Sequence, residues 1–165
     1  MQETDVRIRI KSILHEVEAS LFSRDEEEDT LVPTTEEAPE PEILEINSLG
    51  RLSVEDGENG RTEIRYDETE VTGMSGATTS ISFVNGQPGV VSMYREGSVS
   101  TTLVFEEGKR HHCIYNTPFM PFEVCVHTLR VSNRLTEDGS LDLDYIVEIR
   151  GAQAERTKFH LQLLQ

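Results

Sequence analysis

Residues 138–164 read DGSLDLDYIVEIRGAQAERTKFHLQLL, and their spacing decides the fold. Leu141, Leu143, Tyr145, Val147 and Ile149 recur at every second position, and Asp142, Asp144, Glu148 and Arg150 dominate the positions between them. After a break at Gly151 the pattern resumes: Thr157, Phe159, Leu161 and Leu163 oppose Lys158, His160 and Gln162. A period of two places one set of side chains on a dry face and the other on a wet face, as in a half-buried β-strand. Two such runs separated by a short polar break form a β-hairpin.

The same rhythm extends back toward the N-terminus. Phe122, Val124 and Val126 alternate with Glu123, Cys125 and His127. Val6, Ile8 and Ile10 alternate with Asp5, Arg7, Arg9 and Lys11. Ile13–Phe22 also fits a helical stripe, but reads best as a continuation of that first strand. Turn signals stand at Asp56-Gly57 with Asn59-Gly60, Asn85-Gly86 with Pro88-Gly89, Glu96-Gly97, Glu107-Gly108 and Asp138-Gly139. They divide the chain into strands near 5–14, 42–54, 61–71, 77–84, 90–95, 98–106, 109–116, 121–133, 140–150 and 156–164. Parallel pairing needs long crossovers, and none is predicted, so the strands form an antiparallel meander. Closure removes the two edges of so long a sheet. The expectation is one all-β domain over 1–165, an antiparallel up-and-down β-barrel of about eight to ten strands.

One stretch does not fit. Residues 24–42 are rich in Glu, Asp, Pro and Thr, and the ten carboxylates between Asp25 and Glu45 meet no Lys or Arg. Such a run buries too little apolar surface to offset its ordering entropy, so it reads as a flexible acidic insertion between the first two strands. It also accounts for much of the net charge of -16. A surface this negative repels phosphate backbones and anionic head groups, which argues against nucleic acid and membrane as partners. The N-terminus has no basic segment followed by an apolar one, and no run is long and apolar enough to cross a bilayer as a helix; the expected location is cytoplasmic. Cys113 and Cys125, on adjacent strands, are too few for a disulfide framework and are expected to be reduced and partly buried.

Motifs that name a reaction are missing. There is no G-x-S-x-G elbow, and Gly73 and Gly76 in VTGMSGATT precede a strand rather than a phosphate-binding helix. His111, His112, Cys113, Cys125, His127 and His160 supply ligand chemistry without zinc-site spacing, and neighbours on a strand point to opposite faces. We therefore expect no catalytic residue, metal or cofactor. The informative polar residues are those in phase with apolar ones. Glu68 follows Ile64 and Tyr66 at every second position, and Arg95 follows Val91 and Met93. If those faces point inward, two charges enter the barrel, where they persist only when paired. A Glu68–Arg95 pair near one end of the barrel is expected, with Tyr66 or Tyr145 beside it. It either fixes the register or leaves the Arg95 fork to receive a ligand carboxylate.

The order of several short motifs adds to this reading. YDETEVTG (Tyr66–Gly73), ATTSISF (Ala77–Phe83), MYREG (Met93–Gly97), LVFEEG (Leu103–Gly108), YNTPF (Tyr115–Phe119) and DGSLDLDY (Asp138–Tyr145) resemble the YwiB-like family of uncharacterised bacterial proteins. The resemblance covers most of the chain and implies a calycin-type, lipocalin-like barrel. It carries Tyr66, Glu68, Thr79, Arg95, Gly97, Tyr115, Thr117 and Tyr145 as pattern positions without assigning them roles. The chain departs from the pattern at Pro118, where the family often has a glycine after the threonine, and in the length of its acidic insertion.

Two functions compete. A binding barrel would hold a small apolar or carboxylate-bearing ligand along Ile64, Met93, Phe105, Phe122 and Tyr145, its polar end at Arg95 or Tyr66. A filled barrel would instead be a protein-interaction module or homodimer, using Leu31, Val32, Phe119 and Met120 in its loops. An enzyme is a third, weaker reading, since His111, Cys113 and Glu68 lack the spacing of a mechanism.

Overall fold

The computed structural model describes residues 2–17, 41–68, 76–116, 118–149 and 154–164. Most of the acidic insertion, with Leu31 and Val32, lies outside these residues, as do Thr117 and Gly73. Ten strands run in order: β1 (Gln2–Val17), β2 (Glu42–Val54), β3 (Arg61–Asp67), β4 (Thr78–Val84), β5 (Val90–Glu96), β6 (Ser100–Glu106), β7 (Arg110–Asn116), β8 (Pro121–Arg134), β9 (Ser140–Ile149) and β10 (Ala154–Leu164). Each pairs antiparallel with its neighbour in sequence, and β1 also pairs with β10, so the sheet closes into a barrel. The seam is long and regular, from Arg7 opposite Leu164 to Val17 opposite Ala154.

The alternation read from the sequence becomes the inside and outside of the barrel. Ile8, Ile64, Val91, Phe105, Val126, Leu141 and Leu161 are fully buried, and they join one core with Ile10, Ile81, Met93, Leu103, Leu143 and Phe159. Burying a side chain of this size contributes roughly 1.5–3 kcal/mol. One irregularity interrupts β8: between Thr128 and Arg130 the register with β9 shifts by a residue. Val124 and Val126 are buried before the shift, and Val131 packs against the core after it, so the bulge changes which parity faces inward.

The connections alternate between the two ends. At one, the turn end, short loops are tied to one another. Asn85 donates from Nδ2 to the carbonyls of Glu55 (2.7 Å) and Gly57 (2.9 Å), and its Oδ1 accepts from Thr62 Oγ1 at 2.6 Å. Asn133 Nδ2 donates to Pro88 O at 3.1 Å, and Gln162 Nε2 to Asp138 O at 3.0 Å. Asp138 accepts from both the backbone N (3.1 Å) and the hydroxyl (2.6 Å) of Ser140, and the hydroxyl bond is the main reason its pKa lies below the usual carboxylate value. Gly139 beside it has φ +78°, a conformation that side-chain-bearing residues rarely adopt. At the other end β1 is followed by β2, β3 by β4, β5 by β6, β7 by β8 and β9 by β10.

Candidate functional site

That second end holds the polar residues singled out by phase. A register row crosses six neighbouring strands: Gly50 opposite Tyr66, Tyr66 opposite Thr79, Thr79 opposite Arg95, Arg95 opposite Thr101, and Thr101 opposite Tyr115. All share the inner face, because opposite residues in an antiparallel pair point the same way. Glu68 lies one step beyond Tyr66, at the exit of β3, where its backbone N–H donates to Ala77 O at 2.9 Å.

The structure brings Glu68 and Arg95 together, with a threonine between them. Arg95 Nε donates to Thr79 Oγ1 at 3.3 Å, and Thr79 Oγ1 donates to Glu68 Oε2 at 2.8 Å. Nε also stands 3.5 Å from Glu68 Oε2. The Glu68 side chain is 1% exposed and that of Arg95 20%. Among the described residues, hydrogen bonds reach the guanidinium at Nε, so its two terminal nitrogens are not bound in a fork to Glu68.

Tyrosines complete the surroundings. Tyr66 is buried, and burial, then Glu68, pushes its hydroxyl pKa well above the ordinary value. Burial pushes Tyr145 up to about 12, against the pull of Arg95. Its ring stands 4.5 Å from that of Phe105, tilted by 50°, at the close end of the range for aromatic pairs. Burial also raises the Tyr115 hydroxyl, again opposed by Arg95. These hydroxyls are therefore neutral donors at physiological pH. For Arg95 burial acts to remove the charge, and Tyr145, Tyr66, Glu68 and Tyr115 together more than restore it. Thr101, 5% exposed and directly opposite Arg95, has a buried hydroxyl with no partner among the described residues.

A cavity of about 30 Å³ opens beside this group, between Ser12, Ile46, Tyr66, Glu68, Arg95 and Phe159. It has room for a water molecule or two. Deeper in, Ile64, Met93, Phe105 and Tyr145 are buried in the core, where the sequence reading set an apolar ligand. The side chain of Phe122 lies outside the description. On the outer wall an open groove of about 640 Å³ runs over β1–β3 among Glu3, Asp5, Arg51, Arg61, Glu63 and Arg65. Its charges are of mixed sign and largely satisfied: Arg51 approaches Asp5 (3.6 Å) and Glu3 (3.8 Å), and Arg65 approaches Glu63 (3.5 Å).

Thr79, Thr101 and Tyr115 belong to the site beside the four residues expected to form it. Thr79 and Tyr115 were already pattern positions. Thr101 was missed, though its register opposite Arg95 follows from the hairpin at Gly97. The cysteine and histidine cluster does not converge. The register sets Cys113 opposite Val124 and Cys125 opposite His112. Cys113 is buried in the core and Cys125 is on the outer face, both as free thiols. Burial raises both thiol pKa values and lowers that of His127, and none of these shifts is that of an activated nucleophile.

Fold and site define a closed ten-stranded antiparallel β-barrel with an internal arginine–glutamate pair at one end. The chain belongs to the family described as Domain of unknown function (DUF1934), whose model matches residues 30–161. Its fold is similar to the crystal structure of ywiB protein from Bacillus subtilis, with a TM-score of 0.65 at 16% sequence identity, covering 100% of this chain and 95% of that one. A comparison with curated proteins gives no match.

Proposed function

We propose that the chain is a non-enzymatic, cytoplasmic binding barrel of the lipocalin-like kind, whose Arg95 end receives the carboxylate of a small ligand. The observation that carries this reading is the state of Arg95. Its side chain enters the barrel and is engaged at Nε by Thr79 and Glu68; Tyr66, Tyr115 and Tyr145 act on its charge, and Thr101, whose hydroxyl has no partner among the described residues, stands opposite it in the register. Terminal guanidinium nitrogens favour a planar carboxylate, and neutral hydroxyls add donors without adding charge. The cavity is too small for a ligand body, so the ligand enters carboxylate first and keeps its apolar part toward the barrel mouth.

The test is a thermal-shift series with straight-chain carboxylates of increasing length, followed by calorimetry on any that raise the melting temperature. Wild-type protein should be stabilised, and Arg95→Gln should lose the response while Lys109→Gln keeps it. Equal responses in wild type and Arg95→Gln would remove Arg95 from the site. A flat response across the series would remove the carboxylate.

A second reading, a filled barrel that assembles as a homodimer, is favoured by exposed apolar residues in the β7–β8 segment. Phe119 is 95% exposed and Met120 65%, and exposed aromatics of this kind anchor interfaces. Light scattering of wild type against Phe119→Ser decides it: a dimer that the substitution dissociates supports assembly, and a monomer in both cases ends it.

A further inference from the structure

The β1–β10 seam has a charge pattern that the barrel does not need for closure. The outward positions of β1 beyond Asp5 are Arg7, Arg9, Lys11, Ile13 and His15. Those of β10 are Arg156, Lys158, His160, Gln162 and Leu164. None of them is acidic, in a chain of net charge -16. The register sets Lys11 opposite His160 and His15 opposite Arg156. Same-sign residues directly opposite one another destabilise a sheet whenever both are charged.

The neighbouring strands relieve only part of this ribbon. On β9, Asp144 holds Arg156 through two bonds, at 3.0 and 2.7 Å, and Asp142 holds His160 at 2.7 Å. On the β2 side, Arg9 Nε donates to Asn47 at 3.5 Å, and Glu45 stands opposite Lys11 without closing an ion pair. Among the described residues no ion pair joins Arg7, Arg9, Lys11 or Lys158 to a carboxylate, although Lys158 stands opposite Asp144 and helps to lower its pKa, and all four cations are exposed.

We infer that this ribbon is a docking surface for an extended acidic polypeptide segment supplied by a partner protein. Arg7, Arg9 and Lys11 succeed one another at about 6.6–6.8 Å along the strand. An extended peptide presents the side chains of one face at the same interval, so alternate carboxylates match successive cations. The complementarity is local, because the rest of the molecule is acidic. A long polyanion such as RNA would meet repulsion once it passed the ribbon's edges, whereas a short peptide stays within it.

Fluorescence anisotropy with a labelled oligoglutamate peptide of about ten residues tests the inference on the full chain. The expected result is binding that weakens with added salt. It should weaken by roughly tenfold or more in the triple variant R9Q/K11Q/K158Q, which removes three of the four exposed cations. The control K109Q/R134Q, with cations elsewhere on the barrel, should bind as wild type. All substituted side chains are exposed, and circular dichroism verifies the fold. Failure of wild type to bind, or equal binding by the triple variant, overturns the proposal. So does equal or tighter binding of a single-stranded RNA of the same length. Binding that appears only when residues 25–40 are deleted also overturns it, because the ribbon's ligand is then the chain's own acidic run.

Discussion

At the turn end of the barrel, Asn85, Asn133 and Gln162 give their amide groups to backbone carbonyls of adjacent loops. At the Arg95 end, side chains of the same polarity face one another inside the barrel. Both ends have to satisfy polar groups where strands stop, and they do it in opposite ways. Bonds to backbone carbonyls close a loop and leave no group over. A threonine-relayed ion pair closes nothing, and among the described residues it engages the Arg95 guanidinium at Nε alone. Stability should be local and additive at the first end and coupled at the second, where Arg95, Thr79 and Glu68 share one network.

The largest expected effect follows from that difference. Arg95→Ala removes the guanidinium from beside a carboxylate that is 1% exposed and should cost about 3–5 kcal/mol in urea unfolding. The double variant Glu68→Met/Arg95→Met should recover most of this loss, because apolar replacement of a buried pair is often neutral or better. A double variant as unstable as Arg95→Ala would show that the two ends do not differ in kind. Next comes the turn end. Asn85→Ala deletes the side chain that serves Glu55, Gly57 and Thr62 and should cost about 1–3 kcal/mol. The loss should be additive with changes at Arg95, which a double-mutant cycle measures.

Smaller effects sharpen the contrast. Gly139→Ala places a side chain at φ +78° and brings its Cβ to 3.2 Å from Leu163 Cβ. About 1–2 kcal/mol is expected, read as a lower denaturation midpoint at unchanged slope. Least is expected from the wall between the ends. Asp144 has its pKa lowered mainly by the Arg156 hydrogen bond. A depressed folded-state value means that the pair stabilises fully above the ordinary carboxylate pKa of about 4 and stops doing so as pH falls through the lowered value. Asp144→Asn should cost about 1 kcal/mol or less at neutral pH and nothing in strong acid. Urea titrations across that range give the curve.

Much of this architecture was legible because strand side chains repeat every second residue. The ranges expected for β2 and for β5 to β9 lie within a residue or two of those observed. Glu68 and Arg95 could be placed inside from their phase with Ile64 and Met93 alone. Other features leave no mark in that period. The bulge at Thr128 inserts a residue without a glycine or proline to announce it, so the inward parity of late β8 was hidden. The placing of Cys113 and Cys125 on opposite faces depends on the odd offset that pairs Cys113 with Val124, which only the β7–β8 turn fixes. That Thr79 stands between Glu68 and Arg95 depends on two registers at once, and a single strand's pattern contains neither.

The closing of the barrel has a kinetic consequence. Every strand pair but one joins neighbours in the chain, and those joined by short turns, such as β4–β5 and β8–β9, form within microseconds once the turn is set. β1 and β10 are the exception, for Ile8 meets Leu163 across nearly the whole length of the polypeptide. That contact alone bears the entropy of closing so large a loop. Folding therefore runs as a quick succession of local steps and one slow encounter, and slippage at the seam would leave two open sheet edges available to other molecules.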